Sequence, residues 1–244
     1  LVAGLARWLG RPVDRRPILP EMTLLIPAYN EAAVIAAKIE NSLALDYPAD
    51  RLEIVVVTDG SDDGTPDIVR RYAGEGVRLY HQPGRRGKMA AVNRVMPMID
   101  GDIVVLSDAN AMITPGSLKA IAANFADPEV GGVAGEKRVS EGGEGLYWRY
   151  ESFLKRCDSA LSSVMGAAGE LFAIRRCLFE PPASDTLLDD FVISLRLVEN
   201  GWRFVYEPEA VALEDPSPTL TGDWRRRTRN AAGGFQAIAR LPGL

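Results

Sequence analysis

The sequence predicts an α/β protein built on a mostly parallel, doubly wound sheet that helices flank. Apolar runs suited to buried strands alternate with stretches of helical periodicity from Met22 to about Phe125. The second of these runs is continuous and rich in β-branched residues, as expected of a strand covered on both faces. Such alternation is typical of parallel strands joined by helical crossovers. Because ligands of these sheets bind at the carboxyl ends of the strands, the residues after each strand are the first candidates for a site.

Four strands and four helices are predicted in this first half. Each strand is a short apolar run, and the first one ends at Pro27. The first helix carries apolar residues at roughly helical spacing, and the last begins with Thr114 as a cap and Pro115 at its first position. The strands are 22–27, 52–57, 77–82 and 102–108, and the helices that follow them are 33–43, 65–73, 87–99 and 114–125.

The alternation breaks after Val133, within a fifth predicted strand. The second half is then expected to extend the same domain, because no linker divides the two halves. Its helix at 187–201 closes at Gly201. The predicted order is the strand 130–139, a long helix at 145–163, a Gly-bearing turn and short strand within 166–176, the helix 187–201, and two short strands at 202–208 and 210–215.

Size and composition narrow the class of protein. The chain has 244 residues, enough for one large α/β domain or two small ones. The net charge is −5, so no nucleic-acid partner is expected, although the segment 224–230 holds four arginines. Two cysteines without metal-ligand spacing and one histidine exclude a disulfide scaffold and disfavour a Cys/His zinc site.

Polar clusters follow three of the predicted strands. Strand one ends in PAYNE (27–31), strand two in TDGSDDGT (58–65) and strand four in SDAN (107–110). Any one of them could be a turn or a helix cap, because Asp, Asn, Gly and Ser are the residues that turns require. Their joint placement after strands of one sheet instead predicts a ligand site at one edge of that sheet.

Two of these clusters suggest the chemistry of the ligand. Asp108 and Asn110 stand two positions apart, so their oxygen atoms can point the same way and suit a divalent cation or a sugar. The segment 84–93 places two glycines and three basic residues, the last of them Lys88, at a predicted helix start. Helix amino termini attract anions, so a phosphate or carboxylate contact is expected there, with a solvated basic turn as the alternative.

The order of the motifs closely resembles that of the family 2 glycosyltransferases, over about Met22 to Asn230. The motifs are PAYNE, DGSDDGT, RGKMAAVN, SDAN, GAAGELFAIRR, LLDDF and RRRTR. The chain is most similar to the membrane-integrated branch that includes cellulose, hyaluronan and poly-N-acetylglucosamine synthases. The resemblance implies a GT-A fold, which is a Rossmann-like, mostly parallel sheet flanked by helices with a C-terminal acceptor-side extension. It also implies an inverting enzyme that moves a sugar from a nucleoside diphosphate donor, usually of uridine, to a glycan or lipid-linked acceptor.

The resemblance assigns a set of residues to the donor. Asp59 is expected to accept hydrogen bonds from the base, and Lys88 to contact the donor. Asp108 and Asn110 match the Asp-x-Asp motif, which holds the diphosphate through Mg²⁺ or Mn²⁺; the amide in the second position could weaken the metal requirement. The expected donor-binding residues are Pro27, Ala28, Tyr29, Glu31, Asp59, Lys88, Asp108, Asn110, Arg226 and Arg229.

The acceptor side is assigned in the same way. Asp190 matches the general base that removes the proton of the acceptor hydroxyl, and Asp189 takes the preceding acidic position. Both could also be helix amino-terminal acids that the dipole stabilises, and the two interpretations are compatible. The resemblance places Gly166, Gly169 and Glu170 in a Gly-rich turn beside the acceptor, and it suggests that Glu170 and Arg175 reach the ligand.

The basic segment departs from the family pattern. Arg226 and Arg229 occupy the Gln and Arg positions of the Gln-x-x-Arg-Trp motif, but Asn230 replaces Trp. Arg229 could clamp a diphosphate, whereas Arg225 and Arg227 are better explained as a cluster that meets anionic lipid headgroups. These departures leave processive synthesis open.

The resemblance also suggests how the chain is organised. Residues 1–21 are expected to lie near a missing membrane span, 22–222 to form the catalytic domain, and 223–244 to lie at the membrane interface. Within the domain, 22–125 would bind the nucleotide and 126–222 the acceptor. This predicts a domain at the cytoplasmic face of the cell membrane, attached through flanking segments; ragged but natural termini are the alternative.

Two other functions remain as alternatives. A nucleotidyltransferase that makes nucleotide sugars has the same kind of sheet, with its ligands at the strand ends. Such an enzyme normally has a Gly-rich loop after the first strand, whereas PAYNE has no glycine. A binding module without activity would fit the replacements at Asn110 and Asn230, whereas Asp59, Asp108 and Asp190 argue for catalysis.

Overall fold

The computed structural model describes residues 10–139, 146–164, 166, 169–214 and 220–240, with the backbone alone at 139, 146–149, 220–223 and 225–227. These residues form eight strands and seven α-helices. The strands are β1 Met22–Ala28, β2 Leu52–Asp59, β3 Val77–Gln82, β4 Ile103–Ser107, β5 Ala111–Ile113, β6 Val130–Val139, β7 Leu171–Arg175 and β8 Arg203–Glu214. The helices are α1 Ile35–Leu43, α2 Thr65–Arg70, α3 Lys88–Val95, α4 Ser117–Asn124, α5 Leu146–Leu161, α6 Asp189–Glu199 and α7 Leu220–Arg240.

All eight strands belong to one sheet, in the order β3-β2-β1-β4-β7-β6-β8-β5. The pairs β3–β2, β2–β1, β1–β4 and β6–β8 are parallel, and the pairs of β7 with β4 and β6, and of β5 with β8, are antiparallel. The α/β class with a parallel sheet in the first half of the chain is confirmed, and the second half adds the antiparallel strands to that sheet.

Helices cover both faces of the sheet. On one face, Ile35 and Ile39 of α1 and Leu118 and Ile121 of α4 belong to one apolar cluster with alternate side chains of the strands, and α4 lies against β8 and β6. On the other face, Val92 of α3 and Ile193 of α6 belong to a second cluster with the remaining strand side chains; α3 lies against β2 and β1, and α6 against β8 and β6. Burial on both faces explains why the strand segments read as continuous apolar runs.

The structure differs from the sequence predictions at three points. Helix α4 begins at Ser117 with Gly116 as its cap, so the predicted start with Thr114 as cap and Pro115 at the first position was wrong. The strands predicted at 202–208 and 210–215 are one strand, β8, whose pairing with β6 is interrupted by an irregularity between Ala134 and Glu136. Pro208 falls in that irregular stretch, where a missing N–H removes no ladder bond. The sequence analysis also missed β5, a three-residue strand that pairs with the end of β8.

Helix α7 lies against α6. Its buried Ala237 packs with Val192 and Leu195 of α6. Its exposed side chains include Trp224, Phe235 and Ile238. Neither α7 nor any other helix among the described residues is long and apolar enough to cross a bilayer.

Close packing between β6 and β8 gives a test of the fold. A Cβ atom added to Gly132 would lie 2.4 Å from Cε2 of Phe204, which is fully buried. We expect Gly132→Ala to lower the free energy of unfolding by about 1–3 kcal/mol, because the ring must shift in a filled core. Urea unfolding followed by circular dichroism measures this, with Gly74→Ala as control, since nothing lies within 4 Å of that position. Equal stability of the two variants would contradict the packing described here.

Candidate active site

The loops after β1, β2 and β4 border one cleft with a volume of about 580 Å³. The segment before α3, the loop before α6 and one residue of α7 complete its wall. Every residue expected to bind the donor lines this cleft except Arg226, whose side chain lies outside the described residues. The wall residues from that set are Pro27, Ala28, Tyr29, Glu31, Asp59, Lys88, Asp108, Asn110 and Arg229.

Hydrogen bonds between the first two loops show which acids of DGSDDGT are structural. The Asn30 side chain donates to Asp62 Oδ1 at 2.9 Å and accepts from the Asp62 amide at 3.1 Å. Asp63 Oδ2 accepts from the Ala32 amide at 2.9 Å. Asp62 and Asp63 therefore hold the two loops together, whereas Asp59 of the same segment lines the cleft.

Asp59 positions the basic segment before α3. Its buried carboxylate accepts hydrogen bonds through Oδ2 from the backbone amides of Arg86 and Gly87, at 2.6 and 2.7 Å. Gly60, with φ +73°, lets this segment approach, because a Cβ there would lie 2.6 Å from the Arg85 Cβ. One oxygen of Asp59 is thus engaged by the loop, and Oδ1 makes no hydrogen bond to the described residues.

Arg85 is a cleft residue that the sequence analysis did not assign. Its guanidinium carbon lies 3.7 Å from the centroid of the Tyr29 ring, a cation–π contact on the wall of the cleft. The two side chains form a flat surface beside Asp59. The sequence offered one signal for it, the two adjacent arginines of the segment GRRGK. That pattern alone could not show that Arg85, rather than Arg86, lines the cleft.

Lys88 connects the two sides of the site. Its ammonium donates to Asp108 Oδ1 at 2.9 Å and lies 3.1 Å from Asp189 Oδ2, close enough for an ion pair without the alignment of a hydrogen bond. Burial alone would lower the pKa of Lys88, but attraction to both carboxylates raises it above its ordinary value. Lys88 therefore stays charged and joins the donor-side acid to α6.

Asp190 has an electrostatic environment unlike that of Asp189. Burial, and then repulsion from Asp189, raise the pKa of Asp190 to about 7, against the opposing effects of the Phe191 amide and Lys88. Asp189 is itself buried and paired with Lys88, and it lines the cleft. Asp190 is not on the wall of the cleft, and lies beside the turn that precedes β7.

The Gly-rich turn before β7, expected on the acceptor side, lies against Asp190 and Phe191 at the start of α6. A Cβ on Gly169 would be 3.2 Å from Asp190 Oδ2, and one on Gly166 would be 3.0 Å from the ring of Phe191. Glu170 forms an ion pair with Lys137. The turn is therefore next to the expected base, as the motif order implied; whether it binds an acceptor stays a prediction.

A polar network orients Asn110. Its Nδ2 donates to Glu214 Oε1 at 3.0 Å, and Glu214 forms an ion pair with Lys137, which also contacts Glu170. With Nδ2 held by Glu214, the amide oxygen of Asn110 is the atom left to face a ligand. Lys137 and Glu214 were not expected from the sequence, because neither lies in one of the quoted motifs.

The loop before α6 is fastened to α7. Arg240 donates to both carboxylate oxygens of Asp185, at 3.1 and 2.6 Å. Gln236 accepts from the Leu187 amide at 3.0 Å and donates to the Asp185 carbonyl at 3.1 Å. Because Asp185 and Leu187 line the cleft with Arg229 of α7, this helix is part of the site.

The donor set permits a hard divalent cation. Asp108 offers a half-exposed carboxylate, and Asn110, two positions later, lines the same cleft with an amide whose Nδ2 is held by Glu214. No group of three or more His, Cys, Asp or Glu side chains among the described residues could hold a metal ion by itself. Such a site suits Mg²⁺ or Mn²⁺ bound by one carboxylate and the phosphates of a ligand. The pKa of Glu31 is consistent with such a site. Burial, and then repulsion from the charge of Asp108, raise this pKa, and a bound cation would relieve the repulsion.

Arg175 is not a ligand-binding residue. We expected from the resemblance that this side chain reaches the ligand. Its guanidinium instead donates to the backbone carbonyls of Val130, Phe125 and Asp127, which fixes the segment between α4 and β6.

A family model described as "Glycosyltransferase like family 2" matches residues 20–233. The chain belongs to this family. Its curated relatives carry names of glycosyltransferases, so the chain is an enzyme of that class, and its fold is GT-A.

Three relatives illustrate the range of the family. The probable glycosyltransferase YdaM of Bacillus subtilis is 30% identical over 242 residues, which cover 91% of this chain and 57% of that protein. The beta-monoglucosyldiacylglycerol synthase of Synechocystis is 29% identical, over 89% of this chain and 48% of that protein. The poly-beta-1,6-N-acetyl-D-glucosamine synthase of Staphylococcus aureus is 26% identical, over 91% and 56%. This glycosyltransferase chain spans about half the length of these curated relatives.

Two solved structures are similar to the chain. A mannosyltransferase from Pyrobaculum calidifontis, in complex with GDP-Man and Mn²⁺, superposes with a TM-score of 0.85 and 31% identity, over 98% of this chain and 70% of that one. TarS residues 1–349 from S. aureus, in complex with UDP-GlcNAc, gives a TM-score of 0.63 and 17% identity, over 82% and 59%. The second likeness concerns the fold alone.

The raised pKa of Asp190 predicts how stability depends on pH. Its pKa in the folded protein is about 7 and its ordinary value is 3.8, so the folded state binds more protons between these values. The free energy of unfolding therefore falls as pH rises through this window, and the whole destabilisation from ionised Asp190 is present above pH 7. Asparagine cannot ionise, so Asp190→Asn should melt higher than the parent protein at pH 8, on the order of 5 °C, and less so at pH 5.

Differential scanning fluorimetry across pH 5 to 8 measures this difference. Asp67→Asn, at an exposed aspartate of α2, is the control and should show no comparable gain. A melting-temperature difference for Asp190→Asn that is constant with pH would show that the buried carboxyl does not titrate as described.

Proposed function

We propose that this enzyme moves a sugar from a nucleoside diphosphate sugar to a hydroxyl group of a glycan or lipid-linked acceptor, with inversion at the anomeric carbon. The observation that carries the proposal is the ion-paired line Asp108–Lys88–Asp189, which joins the donor cleft to the helix that bears Asp190. A carboxyl with a pKa of about 7 at the end of that line is suited to accept a proton near neutral pH.

The nucleoside binds beside Tyr29, Arg85 and Asp59. In this proposal Asp59 Oδ1 accepts a hydrogen bond from the base, since Oδ2 is engaged by two backbone amides. The flat Tyr29–Arg85 pair supports the ring of the base or the ribose. We favour uridine from the motif resemblance; guanosine is the second candidate, because the Pyrobaculum mannosyltransferase is a complex with GDP-Man.

The diphosphate lies next, toward Lys88 and Arg229. Both are cations on the wall of the cleft, and they neutralise the charge that grows on the leaving diphosphate. Asp108 and the Asn110 oxygen would hold Mg²⁺ or Mn²⁺, which would supply further positive charge to stabilise the leaving diphosphate.

Proton transfer occurs on the other side of the anomeric carbon. Asp190 takes the proton of the acceptor hydroxyl as its oxygen forms the bond to that carbon. The bond from the carbon to the diphosphate oxygen breaks, and its electron pair leaves with the diphosphate. Asp189, paired with Lys88, keeps Asp190 oriented at the start of α6 and raises its pKa.

The acceptor approaches by way of the turn around Gly169 and Glu170, which is beside Asp190. A lipid-linked or membrane-borne acceptor is consistent with α7, which exposes Trp224, Phe235 and Ile238 in a segment that also carries several arginines. We therefore propose that residues 223–244 contact a membrane surface, and that 22–125 bind the nucleotide while 126–222 receive the acceptor.

The metal assignment predicts a selective loss of donor binding. Asp108→Ala should remove the Mn²⁺-dependent part of the affinity for the donor nucleotide, with a loss of about 10-fold or more, because it removes the carboxylate ligand. Calorimetry with UDP and GDP, with and without Mn²⁺, measures this and identifies the nucleotide. Asp67→Ala is the control, since Asp67 is an exposed residue of α2 that does not line the cleft. Unchanged affinity of Asp108→Ala in the presence of Mn²⁺ would remove Asp108 from the metal site.

The two acids of α6 should respond differently to removal of charge. Asp190→Asn should lower transfer by about 10²–10⁴-fold while the Mn²⁺–nucleotide affinity is unchanged, because the base acts on the acceptor. Asp189→Asn should keep measurable transfer, and the acidic limb of kcat/KM should move below its parent position near pH 7, because a repelling charge has gone. Active Asp190→Asn with inactive Asp189→Asn would assign the base to Asp189 instead.

A further inference from the structure

A buried lysine lies beneath the turn that carries Asp108 and Asn110. Lys38 of α1 has no exposed surface. Its ammonium donates to Ser107 Oγ at 2.7 Å and to the carbonyl of Ala111. These partners immediately precede and follow the stretch 108–110, so a single ammonium group connects the two ends of the turn.

The same helix also binds the strand that follows the turn. Asn41, one turn after Lys38, donates to the Ile113 carbonyl at 2.9 Å and accepts from the Ile113 amide at 2.8 Å. Strand β5 pairs only with β8 among the described strands, so its other edge needs polar partners. Lys38 and Asn41 supply them, and α1 thereby fixes where the turn stands relative to the sheet.

The contact also reaches the acceptor side. Ser107 Oγ, which accepts from Lys38, donates to the carbonyl of Glu170 at 3.0 Å. Glu170 belongs to the turn beside Asp190. A short chain of hydrogen bonds therefore runs from Lys38 through Ser107 to the acceptor-side turn.

The charge of Lys38 is not explained by packing. No carboxylate among the described residues forms a salt bridge with it, and its two hydrogen-bond partners are neutral. A buried ammonium without an ionic partner destabilises a fold, and an apolar side chain of similar length would fill the same space. Burial lowers the pKa of Lys38 to about 7, and the attraction that opposes this comes from Asp108.

We propose that Lys38 is a positioning residue of the donor site, which holds the Asp108–Asn110 turn where Asp108 meets the cation and the diphosphate. The proposal rests on the proposed function, because it needs Asp108 to be a metal ligand. Residues behind the ligands of a metal commonly change its affinity by about 10–100-fold, and we expect an effect in this range.

The test compares Lys38→Met with a matched control, Ser42→Ala. Ser42 is a fully buried polar residue of α1 whose hydroxyl donates to the Lys38 carbonyl and does not contact the turn. The affinities for UDP and GDP are measured by calorimetry with and without Mn²⁺, after thermal melting shows that each variant is folded. Lys38→Met should lose about 10-fold or more of its nucleotide affinity with Mn²⁺, and keep its affinity without Mn²⁺. Ser42→Ala should bind as the parent protein does in both conditions.

The remaining outcomes would overturn the proposal in separable ways. A folded Lys38→Met that binds the Mn²⁺–nucleotide like the parent shows that the turn does not depend on Lys38. An equal loss with and without Mn²⁺ shows a general structural role. If Lys38→Met does not melt cooperatively, Lys38→Gln is measured instead, because glutamine keeps a hydrogen-bond donor. Lys38→Gln should lose less nucleotide affinity than the range given above, and only in the presence of Mn²⁺. Nucleotide binding by Lys38→Gln that equals that of the parent protein would overturn the proposal. A parent protein that binds neither nucleotide contradicts the proposed function itself.

Discussion

The site depends on one constraint, which is that β4 pairs with a parallel strand on one side and with an antiparallel strand on the other. Its parallel pairing with β1, and that of β1 with β2, bring the carboxyl ends of three strands to one edge of the sheet. Its antiparallel pairing with β7 places Leu171 opposite Ser107, so the turn before β7 ends beside the turn that carries Asp108. The cleft and the turn around Gly169 are adjacent because one strand is shared between a parallel and an antiparallel neighbour. If β7 ran the other way, Gly169 would lie at the opposite edge of the sheet.

The site formed at this edge concentrates negative charge in a partly buried place. Glu31 and Asp190 both have raised pKa values, with burial first and neighbouring carboxylates second among the causes. Lys88 neutralises two acids at once, which limits the repulsion between the cleft and α6. A bound cation would relieve the repulsion further, so the same charges that destabilise the protein without a ligand favour its binding. Destabilising charge of this kind is common where side chains serve a reaction rather than the fold.

The α/β class and most of the residues that line the cleft could be predicted from the sequence, because both depend on local patterns. Continuous apolar runs indicate doubly covered strands, and polar clusters after such strands indicate a site. The direction of β7 could not be predicted, because no local pattern encodes it. Strand β5 was also missed, because its partner strand is about a hundred residues away. Lys38 and Glu214 act through contacts between distant segments and were missed. For Lys38 a signal existed, since it lies between Ile35 and Ser42 on the buried side of α1.

The central claim is that Asp108 and Lys88 on the wall of the cleft serve one reaction centre with Asp190, which lies next to Asp189 at the start of α6. A crystal structure of the protein with Mn²⁺ and its preferred nucleoside diphosphate, with anomalous data that locate manganese, tests this most directly. The account predicts an anomalous peak bound to an Asp108 carboxylate oxygen and to diphosphate oxygens, at about 2.0–2.6 Å, with the base beside Tyr29 and Asp59. Manganese bound elsewhere, or a nucleotide outside the cleft, would contradict it.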